Sequence, residues 1–163
     1  MDDVFRLQCV VNGRPEVVEG VVHAELLLDV LRERLGLTGA KRSCDVEVCG
    51  ACTVLIDGHP VSACTTLAWE ARGRRVDTVE GLATDGKLDR IQRAFVDRFA
   101  LQCGYCIPGM VMGIKHLLDE VPDPDQEDVR RYLDGNICRC TGYVSIVEAI
   151  HAASRSEQPG ERR

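Results

Sequence analysis

The sequence predicts an α+β chain: a small mixed sheet over one helix, then a second half made of helices alone. Up to about residue 80, β-prone runs are broken by Asn-Gly and Asp-Gly; beyond it, apolar residues recur at helical spacing. Eight of the nine cysteines gather into two groups of four, one in each half. A chain patterned in this way has two small cores and a cysteine cluster against each.

Residues 3–22 read as a hairpin, with Val4-Phe5-Arg6-Leu7-Gln8-Cys9-Val10-Val11 turned by Asn12-Gly13 towards Val17-Val18. Asn-Gly between β-prone runs is a strong type I′ signal. Residues 24–35 read as a helix, with Leu27, Val30, Leu31 and Leu35 on one side and Gly36 at the stop. Cys52 to Ile56 form a further strand, turned by Asp57-Gly58 into Val61 to Cys64, and Arg74 to Val79 add another. The character changes after Glu80-Gly81. Leu88, Ile91, Phe95 and Phe99 mark one helix, and Met110, Ile114, Leu117 and Leu118 a second that follows Pro108. A third is expected to start with Asp123 as N-cap, Pro124 at the first position and Gln126 at the capping-box position. Tyr143, Ile146, Val147 and Ile150 mark the fourth, with Thr141 as its cap. The expected units are 1–80, 81–153 and a polar, disordered tail at 154–163.

Composition narrows the function. Aromatic residues are only 4% of the 163, so Leu, Val, Ile and Ala must fill the cores. Halves of about 80 residues gain useful stability from a metal site. A net charge of −6 argues against a nucleic-acid partner, which favours a concentrated basic face. Met1-Asp2-Asp3-Val4 shows no export signal, and Leu26-Leu27-Leu28 is too short to span a bilayer. A cytoplasmic chain is expected, with thiols kept reduced and free for metal.

The first tetrad, Cys44, Cys49, Cys52 and Cys64, reads C-x4-C-x2-C with a later fourth cysteine. That is the plant-type ferredoxin spacing for a [2Fe–2S] cluster. The second, Cys103, Cys106, Cys138 and Cys140, reads C-x2-C followed by a distant C-x-C. In each instance a helix leads into the cysteine turn and another leaves it. Facing helix pairs would bring the four sulfurs together, with helix N-termini aimed at an anionic cluster. Four thiolates also suit tetrahedral zinc, and the second spacing alone does not separate the two. Gly50 and Ala51 are small enough for backbone amides to approach cluster sulfurs. Cys9, in an apolar strand, reads as a small buried hydrophobe. His23, His59, His116 and His151 join neither tetrad; Lys41, Arg42 and Arg139 flank them and either offset cluster charge or are solvated.

Three stretches resemble the two-cluster iron–sulfur subunit of the xanthine oxidase family of molybdenum hydroxylases. They are Cys44-Asp45-Val46-Glu47-Val48-Cys49-Gly50-Ala51-Cys52-Thr53-Val54, Gln102-Cys103-Gly104-Tyr105-Cys106-Ile107-Pro108-Gly109-Met110 and Asn136-Ile137-Cys138-Arg139-Cys140-Thr141-Gly142-Tyr143. The resemblance spans about residues 4–152. It implies a β-grasp ferredoxin-type domain followed by a four-helix domain, each with one [2Fe–2S] cluster. It also implies a relay of electrons from a molybdopterin centre on a large subunit to FAD on a third subunit or another acceptor. Gln102 would contact the pterin. Two departures stand out: Glu47 and Val48 occupy places where many relatives have glycine, and Ile107 replaces a common threonine.

The chain shows no substrate pocket, flavin domain or GxGxxG fingerprint, so alone it is expected to carry electrons rather than to turn over substrate. The competing readings are a free-standing two-cluster carrier or redox sensor, and a zinc-stabilised interaction module.

Overall fold

The computed structural model of the chain describes residues 4–156; Met1 to Asp3 and residues 157–163, where part of the expected tail falls, lie outside the described residues. Five strands form one mixed sheet in the order β2-β1-β5-β3-β4. They are β1 (Val4–Val11), β2 (Arg14–Val22), β3 (Thr53–Ile56), β4 (His59–Ser62) and β5 (Arg75–Asp77). All neighbours are antiparallel except β1 and β5, which run parallel. The first hairpin turns at Asn12 and Gly13, both at positive φ, as a type I′ turn needs. In β1, Leu7, Cys9 and Val11 face inward on alternate positions. In β2 the inward residues are Val18 and Val21, three apart. Glu19 and Gly20 stand opposite the single Arg6 there, and Gly20 takes a φ of 66°. That bulge restores the inward face after the shift.

The crossing helix is shorter and less regular than the expected 24–35. One α turn, α1 (Leu27–Asp29), runs directly into a π turn at Val30–Arg34. Leu27, Leu28, Val30 and Leu31 are buried under the sheet, and Gly36 at positive φ stops the helix. Cys9 lies in this core too, and burial pushes its thiol pKa up.

The remaining helices are α2 (Arg90–Asp97), α3 (Ile107–Glu120), α4 (Gln126–Leu133) and α5 (Val144–Arg155). They enclose a second core of Ile91, Phe95, Met110, Ile114, Leu118, Val129, Ile146 and Ile150, separate from the first. Helix α2 packs on α5, while α3 packs on α4 and on β3, so α3 joins the helices to the sheet. No helix among the described residues is long and apolar enough to cross a membrane.

Four local expectations need correction. Phe99 is not part of α2: the chain leaves the helix at Arg98, turns at a φ of 51° and exposes 85% of Phe99, while Ala100 takes the buried place. Asp125, not Asp123, caps α4, accepting from the amides of Glu127 and Asp128 at 2.8 Å each. Pro124 is buried ahead of that cap instead of opening the helix. Thr141 does not cap α5; Tyr143 precedes it at a φ of 68°, its amide donating to Thr141 Oγ1 at 3.2 Å. Finally, α5 continues through Ser154 and Arg155, so the polar tail does not begin at 154.

Candidate iron–sulfur centres

The first tetrad is carried by the loop between the π turn and β3, and closed by Cys64 just past β4. Cys49, Cys52 and Cys64 are buried, and Cys44 is half-buried. The thiols of Cys44 and Cys49 contact each other, as do those of Cys52 and Cys64. The loop bends tightly, with Asp45, Glu47 and Gly50 all at positive φ. The bend points backbone amides inward. Those of Val46, Val48 and Cys49 lower the Cys44 thiol pKa to about 6, the Val48 amide standing 3.4 Å from Sγ. Burial works the other way at Cys52, which is pushed up to about 12.

The second tetrad sits on two turns that each open a helix. Cys106 immediately precedes α3, with Pro108 in its first turn, and Cys138 and Cys140 precede α5. The sulfurs again meet in pairs: Cys140 Sγ lies 3.6 Å from Cys103 Sγ, and Cys106 contacts Cys138. Cys103 and Cys140 are exposed, Cys106 and Cys138 half-buried. Burial raises Cys106 to about 12. Burial also pushes Cys138 upward, but the Thr141 hydroxyl, 3.1 Å away, and its amide outweigh it and leave the thiol lowered. Contact with Cys103 raises Cys140.

The donor set fits a two-iron centre at each place. Two thiolates on one tetrahedral metal, with bonds of about 2.3 Å, stand about 3.8 Å apart. The Cys103–Cys140 separation of 3.6 Å matches that, and two such pairs serve two irons. His116 Nδ1 meets the Gly58 carbonyl at 3.0 Å, tying α3 to the β3–β4 turn.

The tetrads are joined directly. The Ile137 amide, next to Cys138, donates to the Cys49 carbonyl at 2.9 Å. Tyr105, inside the Cys103–Cys106 turn, donates its hydroxyl to the Arg42 carbonyl, two residues before Cys44. Between these ties the backbones nearly touch. A Cβ on Gly109 would meet the Gly50 carbonyl oxygen at 2.0 Å, and one on Gly50 would meet the Gly135 oxygen at 2.5 Å. The lack of a side chain at Gly109 thus lets α3 pack against the loop, and that at Gly50 leaves room for the Gly135–Asn136 turn.

Several residues take roles that the sequence does not announce. The Arg42 guanidinium pairs with Asp29 and Asp45. The Tyr143 hydroxyl donates to the Asn136 carbonyl at 3.0 Å and accepts from the Cys138 amide at 2.8 Å, bracing the C-x-C turn of the second tetrad. A tyrosine placed three residues after a cysteine pair was the visible signal for it. Gln102 is exposed beside Cys103, and Ile107 packs against the helical core.

Comparison with known proteins agrees with this geometry. Residues 78–151 match the [2Fe-2S] binding domain family, and residues 19–97 the 2Fe-2S iron-sulfur cluster binding domain family. The nicotinate dehydrogenase small FeS subunit of Eubacterium barkeri is 48% identical over 127 residues, covering 78% of this chain and 81% of its own. The xanthine dehydrogenase iron-sulfur-binding subunit of Escherichia coli O157:H7 is 39% identical over 150 residues, 91% of this chain and 93% of its own. A chain of quinoline 2-oxidoreductase from Pseudomonas putida 86 superposes with a TM-score of 0.90 at 44% identity, over 93% of this chain and 94% of that one. Two iron–sulfur modules in one chain, and relatives matched over most of their own length, place it: the chain belongs to the two-[2Fe–2S] iron–sulfur subunits of the xanthine oxidase family of molybdenum hydroxylases.

Proposed function

We infer that this chain is the electron-transfer subunit of a molybdenum hydroxylase complex, relaying electrons from a molybdopterin centre on a larger catalytic subunit towards an acceptor. The observation that carries the reading is the direct join between the tetrads, where the Cys49 carbonyl accepts from the amide preceding Cys138. Covalent bonds and that one hydrogen bond link a cysteine of one tetrad to a cysteine of the other. When bound, the two [2Fe–2S] clusters supply one-electron redox chemistry.

In this reading Cys44, Cys49, Cys52 and Cys64 hold one cluster, and Cys103, Cys106, Cys138 and Cys140 the other. The protein's own work is to fix the sulfurs, to keep water from the buried first site, and to aim amides at the thiolates. Residues 1–80 would form the β-grasp ferredoxin-type domain and 81–153 the four-helix domain, a division supported by the two separate cores. The second tetrad would face the catalytic partner. Supporting this, Cys103 and Cys140 are exposed among the exposed apolar residues Phe99, Leu101, Tyr105, Ile137 and Val144. Gln102 would reach the partner's pterin from that face. The first tetrad would then deliver electrons to FAD on a third subunit or to another acceptor. A reducing cytoplasm would keep all eight thiols available.

The test is metal analysis of the assembly purified anaerobically. Iron at about four per chain together with molybdenum is the expected result. Iron without molybdenum would favour a free-standing carrier or sensor, and zinc without iron would overturn the electron-transfer reading.

A further inference from the structure

Glu47 is an unusual residue for its position. It lies between Cys44 and Cys49, at a φ of 58°, a left-handed conformation that strains a non-glycine residue. Glycine would adopt it freely. The side chain retained there is not idle: its Oε2 stands 3.3 Å from the Thr65 hydroxyl, which shares its one proton between this carboxylate and the Ser62 carbonyl at 3.1 Å. Thr65 follows Cys64, so this bond clasps the stretch between the first two cysteines to the element bearing the fourth.

The charges nearby are unequally satisfied. Asp45, the other carboxylate on this loop, is paired with Arg42, which also holds Asp29. Lys41 is turned away, its Nζ donating to the Thr38 carbonyl at 2.7 Å. Among the described residues Glu47 has a hydroxyl partner but no cation. A fixed negative charge beside a centre that gains an electron raises the energy of the reduced form.

We propose that Glu47 is a tuning residue, its carboxylate held by Thr65 so that the cluster of the first tetrad is harder to reduce. The proposal rests on the ligand assignment given above. It adds that the loop bears its backbone strain in order to place a charge. Because Glu47 is exposed, the effect is screened by salt.

The test is a redox titration of the complete assembly, followed by EPR of the two [2Fe–2S] signals. Glu47→Gln should move the midpoint of one signal to a more positive potential and leave the other in place. That difference from wild type should shrink as salt is added. Glu47→Gly should move the same signal in the same direction, and Thr65→Val should do so by less. Unmoved midpoints in Glu47→Gln, an equal shift of both signals, or a shift confined to Glu47→Gly would each overturn the proposal. Wild-type material lacking both signals would instead overturn the ligand assignment on which it rests.

Discussion

The chain buries three of the four cysteines of its first tetrad by its own folding, yet leaves Cys103 and Cys140 of the second in the open. The first lies against a core of Leu7, Leu28, Val54 and Val76, inside a loop held by its own amides and by Arg42. The second rests on two helix-opening turns and is flanked by exposed apolar side chains. Enclosure of this kind marks a site that one chain completes, and openness marks a site that a partner must cover. In the relay proposed above, the open end would meet the catalytic subunit and the closed end would lie downstream.

The strongest way to break the comparison is to remove one sulfur from each tetrad. Cys49→Ser should abolish one [2Fe–2S] EPR signal and block electron exit while leaving the other signal largely present. Cys140→Ser should abolish the other signal and, if that site faces the partner as proposed, also weaken recovery of the complex. Retention of both signals in either variant would overturn the ligand assignment.

The next largest effect is expected where the two regions touch. Gly109→Ala places a methyl group 2.0 Å from the Gly50 carbonyl oxygen, with Ala51 behind it. Neither neighbour is a flexible side-chain end, so α3 or the first loop must move. Overpacking of this kind costs about 1–3 kcal/mol, and more where backbone meets backbone. Thermal unfolding of the assembly should report it. Gly135→Ala, whose Cβ finds its nearest contact at 3.9 Å, serves as the tolerant control.

How legible the molecule was in its sequence depended on whether the signal was local. The Asn12-Gly13 and Asp57-Gly58 turns, the strands around them and the apolar faces of α3 and α5 follow from short-range pattern, and the structure contains them. The cysteine spacing likewise pointed to two tetrads, and the sulfurs meet in pairs within each. What spacing could not supply was competition between equivalent local choices. Asp123 with Gln126 reads as the capping box, yet Asp125 with Asp128 forms it, with Pro124 buried ahead of the cap. Asp125→Ala should therefore destabilise by about 1 kcal/mol and Asp123→Ala by much less, as thermal unfolding would show. Contacts across the fold were equally invisible. Arg42 and Tyr105 are 63 residues apart, and nothing in either neighbourhood announces the other.

The Tyr105 bond offers the finest test of what sets the spacing between the tetrads. Its hydroxyl and the Ile137 amide are the two direct ties described above, but they differ in kind. Tyr105 is half exposed, so water can replace the Arg42 carbonyl when the hydroxyl is lost. Tyr105→Phe keeps the ring and should cost only about 0.5–1 kcal/mol, a fall in Tm of about 2 °C. The Ile137 tie is a backbone bond, and the Gly50–Gly109 crossing beside it leaves no room for adjustment. If those two features set the spacing, the magnetic interaction between the reduced clusters should be unchanged in Tyr105→Phe. A changed interaction would assign the spacing to the Tyr105–Arg42 tie, and make the open region a participant in positioning the closed one.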